Sequence, residues 1–393
     1  MNRTSNANYD IGTLEGKDTK VMYECNNDDE GLSESLCLIR NIKDFRGRKY
    51  AVIKYQKQEL KDKYITTRGL FRSIIARNEK VLVFSPPKGL KFDDFAHAHS
   101  LNDCVIQDYI EGTMINLFFD DEWEIATRSN VGGNYKFYDG CDNLTFRHMF
   151  LEACNETRLE FEYLDKNICY CFVLQHPKNR IVENFEEPHL FLVACHEINN
   201  EKRLVTHRDP NEFKNMFENT DVEFPANYEF NTYQELTSYY DLNKSRYTHV
   251  GLMIHHRESG ERTKIRNPTY EMVRRLRGNQ SNALMRYLEL RYSGLDEDYL
   301  LFYPEESDDY ERYRINVEEF AGKLYNCYVQ TYIQKQKSLD DDFPVLVSNH
   351  LRNLHRYYRM VLRSQNRIIR KLEVVTYVNQ LMPSYIFSSL RNI

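Results

Sequence analysis

No apolar run in the 393 residues approaches the ~20 that a membrane-crossing helix needs, so neither a spanning segment nor an export leader is expected. The nine cysteines include no Cys-x-x-Cys pair, which leaves no reason to expect a thiolate zinc site. The closest couple, Cys169 and Cys171, reads as alternating faces of a strand. An odd cysteine count without a leader fits a reducing compartment, and the expected location is the cytoplasm. Excess positive charge is also missing: the net charge is −6, so a nucleic-acid surface would have to be a local patch. There is no internal repeat and no low-complexity tract. What is present is an ordinary 41% of hydrophobic residues in a chain long enough for two or three domains.

The chain changes character along its length. Residues 1–20 lack periodicity and read as a loose leader. Short strand-like segments then follow one another, among them Tyr50–Tyr55, Lys80–Phe84, Thr113–Phe119, Ile168–Leu174 and His189–Ala194. After Pro268 the apolar spacing becomes helical over Tyr270–Leu290, Arg314–Gln336 and Val345–Gln380. The expected fold class is α+β: a mainly antiparallel sheet domain over 21–270, then an all-helical C-terminal domain over 271–393. The acidic runs Asp296–Glu311 and Asp340–Asp342 read as solvated connections between helices, and His255 and His256 as an exposed strand end.

One stretch carries the functional signal. Gln107-Asp108-Tyr109-Ile110-Glu111-Gly112-Thr113-Met114-Ile115-Asn116-Leu117 has the form Lys-x-Asp-Gly-Ser/Thr with tyrosine in the lysine place. Before it stand Thr67-Arg68-Gly69-Leu70-Phe71 and Ser85-Pro86-Pro87-Lys88-Gly89-Leu90-Lys91-Phe92. After it come Trp123-Glu124-Ile125-Ala126-Thr127-Arg128-Ser129 and Phe172-Val173-Leu174-Gln175-His176-Pro177-Lys178-Asn179-Arg180-Ile181-Val182. Val250-Gly251-Leu252-Met253-Ile254 and Thr263-Lys264-Ile265-Arg266-Asn267-Pro268 close the series. In order and spacing these segments resemble the nucleotidyltransferase domain of ATP-dependent RNA ligases of the phage RNA-repair type, over roughly residues 45–270. The wording of the central motifs also resembles uncharacterised RNA-ligase-like proteins of large DNA viruses, which would imply a viral protein of the host cytoplasm or virion.

The resemblance implies roles residue by residue. In such ligases the motif lysine attacks the α-phosphorus of a nucleoside triphosphate. Tyr109 carries no amine, and an ordinary phenol is neutral near neutral pH, so that step has no nucleophile there. The carboxylates expected of the family fall on Val173 and Val250. Arg68, Lys88, Arg128, Lys264 and Arg266 match cations that face nucleotide phosphates, and Glu111 replaces the usual aspartate. The implied ligand is ATP or another nucleotide, with magnesium not expected to be essential. The implied partners are RNA or other viral proteins. Tyr109 has two readings, a core-edge aromatic or a base-stacking platform. Arg68, Arg128, Lys264 and Arg266 could equally pair with surface acids. An active enzyme would need a displaced lysine, for which Lys88 and Lys91 are the candidates, and a structural protein of a virus would need no open site at all.

A second basic surface is expected at the C-terminal end. Arg352, Arg356, Arg359, Arg363, Arg367 and Arg370 recur every three or four residues and would lie on one helical stripe, with Tyr357, Tyr358 and Tyr377 nearby. Arginine forks suit phosphates and tyrosines suit bases. The competing use of the stripe is docking on the acids of 305–311 and 340–342.

Overall fold

The computed structural model describes residues 6–25, 34–136, 144–242, 246–339 and 341–391. They fall into two compact units, one ending at Met272 and the other running from Val273, with the division inside the helix Pro268–Arg277. The first unit holds the sheets. The second is helical, with no strand among its described residues.

At the centre of the first unit is a six-stranded antiparallel sheet in the order Asn8–Asp10, Leu204–Arg208, His189–Asn199, Ile168–Gln175, Thr113–Asp120, Glu122–Ala126. All eight residues of Ile168–Gln175 are buried, as expected of a strand covered on both faces. On one side Tyr170, Phe172 and Leu174 pack with Met149 and Phe150 of the helix Phe146–Glu156. On the other, Cys169 joins Tyr50, Val52 and Val83 of a four-stranded sheet, Leu38–Phe45, Arg48–Tyr55, Ile74–Arg77, Lys80–Phe84. Residues two apart in a strand point the same way, so Cys169 and Cys171 share a side rather than alternate. Both thiols are free, and burial first, then the neighbouring Cys169 thiol, raises the Cys171 pKa.

A further small sheet, in the order Asn227–Tyr228, Cys104–Asp108, Gly251–His256, Arg262–Arg266, positions the site. Its core holds Phe95, Leu101, Ile106, Leu252 and Ile254.

The loose leader expected over 1–20 is not what its described part forms. Asn8–Asp10 pairs with Leu204–Arg208, and Ala7, Tyr9, Ile11 and Leu14 lie in a core with Phe71 and Phe84. Four apolar residues spread through a polar stretch gave no periodic signal, because each is anchored by a distant element.

In the second unit the three expected helical stretches are interrupted. Tyr270–Leu290 divides at Gly278 (φ 64°) into Pro268–Arg277 and Ala283–Ser293, the latter capped by the Asn282 side chain. The acidic run is not a solvated connection. It forms Asp296–Phe302 and the start of Ser307–Tyr328, with acids in both first turns, where the helix dipole favours them. Asp340 lies outside the described residues. No described helix is long and apolar enough to cross a membrane.

Candidate functional site

The strand Arg262–Arg266 places Arg262, Lys264 and Arg266 on one face, since alternate residues share a side. Tyr109 follows the strand Cys104–Asp108, which lies across Gly251–His256 from it, and its backbone N–H donates to the Gly251 carbonyl at 3.0 Å. Gly251 (φ 151°) permits the close approach of the strand Arg262–Arg266, because a Cβ there would stand 2.1 Å from the Ile265 oxygen. The Lys264 ammonium lies 5.3 Å and the Arg266 guanidinium 5.5 Å from the Tyr109 ring centre. Arg266 also points a guanidinium nitrogen at the phenol oxygen, 3.5 Å away, and pairs with Glu271.

Burial alone would raise the Tyr109 pKa, but Lys264, Arg266, Arg72 and Arg262 outweigh it and hold the phenol below its ordinary value. The same crowding, after desolvation, lowers Lys264. Arg262 is buried and donates to the carbonyls of Pro87 (2.7 Å) and Pro86 (3.0 Å). Desolvation first, then Arg72, brings its pKa to about 10. Among the described residues no carboxylate pairs with Arg72, Arg262 or Lys264. An electropositive cluster around a phenol is a place for an anion.

Of the other residues singled out by sequence, Lys88 and Arg128 act on the cluster through their charge, and the rest are engaged elsewhere. Arg68 is buried and held by both Glu15 oxygens at 2.7 Å, over the Tyr64 ring. Arg128 is exposed, near the Tyr55 ring, and its Nε donates to the Arg72 carbonyl at 3.3 Å. Lys88 is exposed, and desolvation with Arg72 and Arg262 lowers its pKa. Glu111 turns inward: Oε1 accepts from the Val182 and Glu183 amides at 3.0 and 3.1 Å, and burial raises its pKa against those bonds. Val173 and Val250 are buried. Val173 packs against Gly112, leaving no room for a Cβ there. Lys91 is spent on Asp62 at 2.5 Å.

Two residues of the cluster were missed, although the sequence carried signals for both. Arg72 stands one residue beyond the segment read around Arg68, and Arg262 extends the alternation Arg262-x-Lys264-x-Arg266 by one step. The exposed strand end expected at His255–His256 is also corrected. Burial, then Arg262 and His207, holds His255 well below the usual histidine pKa, and His256 stacks on His99 at 4.0 Å. Among the described residues no group of three or more carboxylate, histidine or cysteine side chains could hold a metal ion.

No protein-family model matches the chain. An immediate-early protein ICP-46 homolog of Invertebrate iridescent virus 3 is 22% identical over 284 residues, 70% of this chain and 58% of its own length. An RNA ligase of Rhodothermus phage RM378 is 26% identical over 100 residues, 24% of this chain and 23% of the phage protein. The resemblance is to RNA ligases. An archaeal ATP-dependent RNA ligase aligns at 12% identity with a TM-score of 0.43, covering 72% of both chains. A Naegleria gruberi RNA ligase aligns at 10% identity with a TM-score of 0.36, covering 62% of this chain and 82% of that one. The chain spans less than two thirds of the length of either curated relative. Its motif segments, from Arg68 to Arg266, all lie in the first unit.

The expected arginine stripe is not continuous. The helix Val345–Tyr357 widens into a π-type turn over Tyr358–Leu362, which shifts the phase of later residues, and ends at Asn366 (φ 54°). Arg352, Arg356, Arg359 and Arg363 are exposed on it. Arg367 lies beyond and pairs with Glu373 at 3.1 Å, and Arg370 caps the next helix, Lys371–Asn379. Two of the acids offered for docking have other partners: Glu306 holds Arg277 and Arg286, and Glu311 holds Arg314.

Proposed function

We propose that this ligase-like protein binds a nucleotide or RNA phosphate at the Tyr109 cluster without covalent transfer. The observation that carries the reading is the phenol of Tyr109, in the place of the reactive lysine, facing Lys264 and Arg266 with Arg72 and Arg262 behind. The cations that would hold phosphate are present, while the nucleophile and the two acids are a tyrosine and two buried valines. Phosphoryl-type transfer needs all three kinds of group. Binding needs only the first.

Calorimetry with ATP or GTP tests it. Lys264→Met should weaken binding by ~1.5–3 kcal/mol, the worth of one charge-assisted hydrogen bond, with little dependence on magnesium. Affinity should also fall as the pH rises through the lowered range in which Tyr109 ionises, because the phenolate competes with phosphate for the same cations. No heat at millimolar nucleotide removes the proposal.

We read the exposed Arg352, Arg356, Arg359 and Arg363 as an RNA-backbone surface. Four engaged phosphates predict a slope of log affinity against log salt near −3, at about −0.7 each for single strands. Changing Arg356, Arg359 and Arg363 to glutamine should flatten it by about two units. An unchanged slope with a lower melting temperature assigns these arginines to packing instead.

A further inference from the structure

The corner of the helical unit where Val345–Tyr357 turns through Tyr358–Leu362 toward Lys371–Asn379 exposes apolar side chains that a phosphate backbone would not use. Met360 is 74% exposed, Leu372 71%, Ile368 56%, Tyr357 42% and Val361 36%. No other stretch of the described chain exposes as many large apolar side chains so close together. Contiguous exposed apolar surface of this kind marks a contact with a partner or a membrane.

The corner itself is anchored. Leu362 and Ile369 are buried. The Arg367 amide donates to the Leu362 carbonyl at 2.9 Å, which folds the chain back on the wide turn. Glu373 accepts from the Arg370 amide at 2.9 Å and pairs with Arg367 at 3.1 Å. Against that fixed base Met360, Ile368 and Leu372 project into water. A projecting side chain gains from burial only where something receives it. A rigid partner would need a matching pocket for each, whereas the boundary between headgroups and acyl chains accepts any apolar shape.

The charge around the corner has one sign. Arg356, Arg359, Arg363, Arg370 and Lys371 are exposed, and no acid occurs over residues 343–372. The next acid, Glu373, is spent on Arg367. Apolar side chains that project among cations, with a tyrosine beside them, fit the interface of an anionic leaflet, where lipid phosphates meet the cations and the apolar groups pass beneath.

We propose that this corner docks the protein on an anionic lipid surface. Met360, Ile368 and Leu372 enter the acyl boundary, and Arg356, Arg359, Arg363, Arg370 and Lys371 lie at the headgroups. No described helix is long and apolar enough to cross a bilayer, so the contact is with one leaflet. It does not depend on the Tyr109 cluster. The arginines that it shares with the RNA-backbone surface make RNA a competitor for it.

Sedimentation of the full chain with phosphatidylcholine vesicles, with and without phosphatidylserine, tests the proposal. Binding should require phosphatidylserine. Met360→Gln, Ile368→Gln and Leu372→Gln together should weaken it about a hundredfold, at about fivefold for each apolar side chain kept in water, with RNA affinity and melting temperature unchanged. Arg356→Gln, Arg359→Gln and Arg363→Gln together should weaken it by a similar factor, about fivefold per charge, and weaken RNA binding as well. Met360→Trp adds an indole to a chain whose one tryptophan, Trp123, lies in the sheet unit. Its emission should shift to the blue on anionic vesicles. No sedimentation with phosphatidylserine overturns the proposal. So does binding that survives the apolar triple variant without a blue shift in Met360→Trp, since the attraction is then charge alone and the corner belongs to the RNA reading. Vesicle binding by a protein that binds no RNA upholds the proposal and removes that reading instead.

Discussion

Incubated with α-labelled ATP or GTP and a divalent cation, the protein should acquire no acid-labile covalent label. Loss of a nucleophile from a set of groups that act together costs on the order of 10⁴ to 10⁶ in rate, and later losses add little. Tyr109 supplies no amine, and Val173 and Val250 are buried with no carboxylate at either position. For the same reason Tyr109→Lys alone should not restore labelling. A labelled band in the natural protein would sink the non-covalent reading. Its loss in Lys88→Ala or Lys91→Ala would then locate the displaced nucleophile. The structure separates those two residues: Lys91 is tied to Asp62, whereas Lys88 is not paired with an acid.

Glu306→Gln should produce the largest loss of stability in the helical unit. The Glu306 carboxylate bridges Arg277 and Arg286 at 2.6 Å each, and both guanidiniums are almost wholly buried. They sit over a stack of tyrosines in which Tyr299 lies 4.4 Å from Tyr303 and 5.1 Å from Tyr310. Removing the shared carboxylate leaves two desolvated cations beside each other, a cost of about 3–5 kcal/mol. Arg312→Ala, which breaks the exposed pair with Asp309, should cost under about 1 kcal/mol. Denaturant unfolding followed by circular dichroism compares the two, and equal effects would show that the buried triad contributes no more than a surface pair.

The same triad sets a pH dependence. Burial would raise the Glu306 pKa, but Arg277 and Arg286 outweigh it and hold the carboxyl below its ordinary value. A depressed folded-state pKa means stabilisation that is complete above the unfolded value of 4.5 and lost as the pH falls through the lower folded value. The acid limb of the wild-type stability profile should therefore flatten in Glu306→Gln.

Much of the fold was written locally. Period-two alternation and β-branched runs marked Lys80–Phe84 with its observed limits, and Thr113–Phe119 and Ile168–Leu174 each within one residue of the observed end. Lys264 and Arg266 were read from the match to the ligase motif, while the alternation that extends their face to Arg262 was present in the sequence and not used. Such signals survive because strand geometry fixes which residues share a side whatever lies across from them.

What the sequence could not determine is which charges find which partners. Arg68 and Lys264 are alike as motif cations, yet Arg68 is neutralised by Glu15, 53 residues away in the chain, while Lys264 faces Tyr109. The N-terminal segment looked structureless because its few apolar residues are ordered only by strands near 204–208. The arginine stripe failed for a related reason: a wide turn at 358–362 leaves no mark in residue spacing, yet it resets the helical phase. Sequence by itself determined the change from strands to helices near residue 270, the motif order and the missing amine at position 109. Tertiary structure alone decided which cations remained without an acid, because ion pairing depends on distances between side chains far apart in the chain.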